Sequence, residues 1–159
     1  MQKNVIMTKQ ERYDELLPQV VAMIDGEKNA VSVMANVAAA LHVAFGWWWT
    51  GFYTVNGDQL ELGPFQGPVA CYRIKRGRGV CGTAWELNKT LIVPDVEQFP
   101  GHIACSSLSR SEIVVPIHNK DGNVVAVLDI DSKELCTFDE TDKFYLEQLA
   151  KDISKSLNW

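Results

Sequence analysis

Trp47-Trp-Trp-Thr-Gly-Phe-Tyr-Thr-Val55 runs into Asn56-Gly57, and Gln59-Leu-Glu-Leu62 follows after Asp58. The first run is aromatic and β-branched, the second alternates, and an Asn-Gly pair between two such runs is the strongest short-range hairpin signal. The centre of the chain therefore reads as antiparallel sheet. By alternation Trp47 and Trp49 share one face of the strand and Trp48 takes the other.

Towards the N-terminus the period changes from two to that of a helix. Tyr13, Leu16, Leu17, Val20, Val21 and Ile24 recur at helical spacing up to Asp25-Gly26. Val33, Val37, Ala40, Leu41, Ala44 and Phe45 form a second helical face, with Asn29 as its N-cap and Gly46 closing it. Towards the C-terminus Val69 to Ile74 reads as a third strand, Gly79 to Leu87 as a short helix and Leu91 to Val93 as a short strand. Ile113 to Ile117 and Val124 to Ile130 pair across a turn holding Asp121-Gly122. A capping box, Thr137-Phe-Asp-Glu140, precedes Phe144, Tyr145, Leu149, Ile153 and Leu157. This order predicts an α+β fold: an antiparallel sheet over about 47–132, flanked by helices over about 9–45 and 138–157, in one domain spanning 1–159.

Composition narrows the function. With 47% apolar residues the chain can bury a core, which excludes disorder and removes any need for disulfides at this length. The net charge of −5 argues against nucleic acid as a partner. The cluster Arg73, Lys75, Arg76 and Arg78 reads as a solvated face. Residues 1–15 mix both charge signs and hold no apolar core of signal-peptide length, and no stretch of about 20 apolar residues suits a bilayer. A cytoplasmic location without membrane contact is expected. There the four cysteines are free, catalytic or metal-bound thiols sooner than structural bridges.

Gly77-Arg-Gly-Val-Cys-Gly82, with Asp95 beyond it, matches a dinucleotide fingerprint in letters. The helix after it is too short for a parallel crossover, so the motif reads as a tight turn beside Cys81. Cys71, Cys81, Cys105 and Cys136 follow no zinc-finger spacing, although three thiols with His102 would make a donor set. Cys136 reads as packing. Cys71, Cys81 and Cys105 sit at Gly-rich or irregular stretches, a placement that suits thiol redox chemistry. Asp129 and Asp131 alternate across Ile130 and share a face. Glu112 follows the long aperiodic region Gln98 to Ser111, and near another carboxylate it could hold a proton at neutral pH. A tryptophan of the triplet could line a pocket for a small apolar group.

Trp49-Thr-Gly-Phe-Tyr53, Leu62-Gly-Pro-Phe-Gln-Gly67, Ala70-Cys71, Gly77-Arg-Gly-Val-Cys-Gly-Thr-Ala84, Phe99-Pro-Gly-His-Ile-Ala-Cys105, Ser111-Glu-Ile-Val-Val-Pro116 and Val127-Leu-Asp-Ile-Asp-Ser132 together resemble the free methionine-(R)-sulfoxide reductases, single-domain GAF proteins. The resemblance implies a GAF-like sheet and reduction of free methionine-(R)-sulfoxide by cysteine chemistry. Cys105 would be the nucleophile, Cys71 the resolving thiol, and Cys81 an auxiliary thiol. Trp49, Glu112, Asp129 and Asp131 would bind substrate. Thioredoxin would be the recycling reductant, with no cofactor and no metal. A homodimer through the terminal helices is compatible with such a fold. The rival reading is a non-enzymatic small-molecule-sensing GAF module, but the length leaves no room for an output domain.

Overall fold

The computed structural model describes residues 6–102 and 108–159. Cys105 lies outside the described residues. The elements run α1 (Lys9–Ile24), α2 (Ala30–Phe45), β1 (Trp49–Asn56), β2 (Gln59–Gln66), β3 (Arg73–Lys75), α3 (Gly79–Leu87), β4 (Leu91–Val93), β5 (Ser111–His118), β6 (Val124–Ser132) and α4 (Glu140–Leu157), with a single 3-10 turn at Val96–Gln98. The six strands form one sheet in the order β3-β2-β1-β6-β5-β4, every neighbouring pair antiparallel.

Local chemistry fixes the helix ends. Asn29 caps α2 by accepting the Ser32 amide, and Gly46 ends it in a left-handed conformation. Thr8 opens α1 with a capping box: its Oγ1 accepts the Glu11 amide at 3.1 Å and Glu11 Oε2 accepts the Thr8 amide at 2.8 Å. The cap of α4 falls two residues later than the sequence pattern suggests. Asp139 accepts the Thr141 amide and Asp142 accepts the Asp139 amide, both at 2.9 Å. Thr137 is taken up by the sheet instead, its hydroxyl donating to Ser132 Oγ at 2.7 Å and its amide to Ser111 Oγ at 3.3 Å.

The sheet separates two cores. Phe52, Ile113, Val115, Ile117, Leu128 and Ile130 face α1, α2 and α4. The alternate residues Trp49, Tyr53, Val114 and Val127 pack on the other side with Val80, Ala84 and Trp85 of α3. Asp142 fastens the helical side. Fully buried, it accepts Tyr13 Oη at 2.8 Å and Lys9 Nζ at 2.5 Å, joining α1 to α4.

Three details differ from the sequence expectation. Trp47 and Trp49 do not share a face: β1 begins only at Trp49, and Trp47 stacks on Phe45 in the helical core while Trp49 faces α3. Second, β2 continues past Leu62 to Gln66. A bulge sets Gly63 and Pro64 against Phe52, which gives a proline without an N–H an unpaired place in the ladder. Third, residues 69–72 are irregular and β3 is confined to Arg73–Lys75.

Candidate active site

The register of the three central strands assembles the acids and the tryptophan. Glu112 stands opposite Asp131 across β5–β6, while Trp49 pairs with Asp131 and Gly51 with Asp129 across β1–β6. All four side chains therefore emerge on the face that α3 covers. They line a small cavity, partly open to solvent, whose other walls include Tyr53, Val69, Ala70, Cys81, His102 and Ser109.

Two glycines make this geometry possible. A Cβ on Gly51 would lie 2.6 Å from Trp49 Cη2 and 2.3 Å from Phe65 Cβ. The bare backbone lets the Trp49 indole lie against β1, where it stacks on Phe65 at 5.2 Å and donates Nε1–H to Pro68 O at 3.0 Å. A Cβ on Gly82 would lie 2.4 Å from Lys75 O, so only glycine lets α3 press against the end of β3. That contact turns the first turn of α3, Gly79, Val80 and Cys81, into the cavity. Arg78 provides no side-chain cap there. The glycine motif is thus a packing device. The strands before and after α3 lie at opposite edges of the sheet, which is no dinucleotide-binding crossover.

Burial dominates the electrostatics. It raises Glu112 well above the usual carboxylate range, and the Asp129 and Asp131 charges push in the same direction. Asp131 is likewise raised by burial and Asp129, against the pull of Ser109, whose hydroxyl donates to Asp131 Oδ1 at 2.6 Å. Asp129 reaches only about 6: burial raises it, and hydrogen bonds with Glu112 and Cys81 hold it down. Of the two, Asp129 gives up its proton first, while burial and its acidic neighbours favour the protonated form of Glu112. Among the described residues Asp129 Oδ1 has no hydrogen-bond partner.

The cysteines are not equivalent. Cys71 is disulfide-bonded, whereas Cys81 and Cys136 are free. Cys71 follows Val69 and Ala70, which fold over the cavity in place of the expected strand, and its carbonyl accepts Tyr53 Oη at 3.0 Å. Cys81 lies in the first turn of α3, buried, with its thiol pushed well up by burial and by Asp129 and Glu112. Cys136, expected to pack in the interior, is instead exposed, and it does not line the cavity. The cavity thus unites Trp49, Cys81, Glu112, Asp129 and Asp131; Cys71 does not line it but directly follows its lining residues Val69 and Ala70. His102 lines it too, and burial lowers its pKa. Among the described residues the thiol-and-His102 donor set does not form; Cys81, Glu112 and Asp129 are the group close enough to hold a cation. Tyr53 and Ser109 were not singled out by sequence. Tyr53 could have been, since it lies on the Trp49 face by simple alternation; Ser109 carries no such signal.

A mixed core with helices behind a six-stranded antiparallel sheet, and a cavity on its other face, is the architecture of a GAF domain, and the family described as "GAF domain" matches residues 27–158. Among similar proteins, "GAF domain-containing protein A" of Dictyostelium discoideum is 58% identical over 145 residues, covering 91% of each chain. The free methionine-R-sulfoxide reductase of Saccharomyces cerevisiae is 44% identical over 158 residues, covering 94% of this chain and 88% of the relative. A structure of free methionine-R-sulfoxide reductase from Neisseria meningitidis, in complex with its substrate, superimposes with a TM-score of 0.93 at 52% identity, over 96% of this chain and 92% of that one. The chain belongs to the GAF domain family, and within it to the free methionine-R-sulfoxide reductases. No helix of the described residues is long and apolar enough to cross a membrane.

Proposed function

We propose that this protein reduces free L-methionine-(R)-sulfoxide to L-methionine. The observation that carries the reading is the cavity itself, where a tryptophan and three desolvated carboxylates converge, with the disulfide-bonded Cys71 next in sequence to its lining residue Ala70. The support from relatives is that a reductase 52% identical has been solved with its substrate.

The substrate brings a methyl sulfoxide, an ammonium and a carboxylate, and each suits a different wall. Trp49 packs against the methyl end. The unpartnered Asp129 Oδ1 accepts the ammonium, a charge that only a free amino acid carries at this position. The α-carboxylate meets the N-terminus of α3, whose first N–H groups have no intrahelical acceptor. Asp131, braced by Ser109, adds a second acceptor.

Cys105 attacks the sulfoxide sulfur as a thiolate, and Glu112 donates its proton to the oxygen. The oxygen is transferred to Cys105 as a sulfenic acid, and methionine departs with its sulfur reduced. The Cys71 thiol then displaces that oxygen as water, giving a Cys71–Cys105 disulfide. A dithiol protein of the thioredoxin kind reduces the disulfide by exchange and becomes a disulfide itself. Such a cycle suits the cytoplasm, where dithiol reductants are maintained. Cys81 is held as an auxiliary thiol, outside the first two steps.

The test is a single turnover without reductant. Pre-reduced protein mixed with the R epimer releases one methionine per chain and yields one Cys71–Cys105 linkage on peptide mapping. Cys105→Ser releases none. Full release by that variant overturns the assignment of the nucleophile.

A further inference from the structure

Cys81, Glu112 and Asp129 reach the cavity floor from α3, β5 and β6. One donor atom from each lies within 4.8 Å of the others, all three residues are buried, and Cys81 Sγ is 4.0 Å from Glu112 Oε1. A tetrahedral cation holds sulfur at about 2.3 Å and oxygen at about 2.0–2.2 Å, so its donors stand roughly 3.3–3.7 Å apart. Closing the observed triangle by about 1 Å at most would meet that spacing. A second observation points to a missing positive group. Asp129 is 6% exposed, borders the cavity, and keeps Oδ1 without a hydrogen-bond donor among the described residues. Asp129 already bonds Glu112 and Cys81, yet this oxygen stays unpaired, whereas buried acceptors are ordinarily satisfied.

We propose that Cys81, Glu112 and Asp129 form a site for a thiophilic divalent cation, zinc foremost, whose binding closes the cavity to substrate. One sulfur with two oxygens excludes calcium and magnesium, which take oxygen cages, and suits a cation of borderline softness. Three protein donors leave the fourth position open to the cavity, where water completes the shell. Ionised thiolate and carboxylates would supply three negative charges against two positive ones. The blockade rests on the proposed reductase reading, because Asp129 and Glu112 cannot serve the metal and the substrate at once; the site itself does not.

Cadmium reports the site directly, since its bond to a thiolate gives an ultraviolet charge-transfer band. The probe is the Cys136→Ser protein, which lacks the exposed free thiol, in the form with Cys71 disulfide-bonded. Titration gives one cadmium per chain, and both zinc and saturating free methionine-R-sulfoxide remove the band. Adding Cys81→Ser abolishes the band, and adding Glu112→Gln weakens binding at least tenfold. A band that survives Cys81→Ser, or an affinity untouched by Glu112→Gln, overturns the site. Zinc should also inhibit turnover competitively, with relief by a chelator; noncompetitive inhibition overturns the blockade. Turnover without any cadmium band refutes the metal site alone. A cadmium band in a protein that never reduces methionine sulfoxide refutes the reductase reading and leaves the site standing.

Discussion

Cys81 Sγ lies 4.0 Å from Glu112 Oε1, and both side chains are buried on the cavity floor. A thiol there is held protonated by desolvation and by its acidic neighbours, and thiolate is the reactive form. Cys136, exposed, should therefore react with iodoacetamide in the native protein long before Cys81 does. Mass spectrometry of timed alkylation checks this. Equal rates would show that Cys81 is more open and more acidic than its setting implies.

The pH profile follows from two carboxyl groups that the cavity raises to different extents, in protein kept metal-free with a chelator. In the proposed mechanism Asp129 must be ionised to hold an ammonium, and burial raises its pKa to about 6. Activity as kcat/KM should fall about tenfold per pH unit well below that value. Glu112 must keep its proton, and its pKa is raised well above the carboxylate norm, so an alkaline limb follows. Cys81, Asp131, Tyr53 and His102 face the same space, so both limbs belong to the cluster and not to one residue.

Glu112→Gln separates stability from chemistry. An acid whose pKa is higher folded than unfolded binds protons more tightly in the native state. Stability is therefore lost as pH rises from the unfolded value of about 4.3 towards the folded one. The amide carries no such penalty and can still donate to Asp129. Melting at pH 8 should rise by roughly 2–4 °C, a gain that disappears near pH 4. The same variant should lose about 100-fold or more in kcat, because an amide cannot protonate the leaving oxygen.

Asp142→Ala tests the helical side. It strips partners from the Tyr13 hydroxyl and from Lys9 and removes half of the α4 capping box. A loss of about 2–3 kcal/mol is expected, seen as a fall of roughly 5–10 °C in melting temperature. KM for the sulfoxide should stay unchanged, because the sheet lies between Asp142 and the cavity.

Much of this architecture was legible because its signals are local. Asn29 and Gly46 bound α2 by cap chemistry, the central hairpin turns where the Asn-Gly signal marks it, though on Gly57-Asp58 with Asn56 still paired to Gln59, and period-two alternation puts Asp129 and Asp131 on one face. What was not legible depends on distant partners. Thr137 is drawn away from a cap by Ser111 and Ser132, and Trp47 leaves the face of Trp49 because pairing with Asp131 starts β1 two residues later. The setting of Cys81 was hidden likewise. A thiol in a glycine-rich stretch carries no sign of burial, but Gly82 lets α3 seat on β3, and the sulfur is buried near Glu112. Cys105 was named by resemblance and lies outside the described residues.

The most direct test of the central claim is epimer-resolved chromatography of free L-methionine sulfoxide, supplied as a mixture of both sulfur epimers with excess dithiothreitol. The R epimer should vanish with equimolar appearance of methionine while the S epimer remains, because a site that fixes the methyl group, the oxygen and the ammonium on three walls accepts one configuration at sulfur. Loss of both epimers at similar rates, or of neither, would contradict the account.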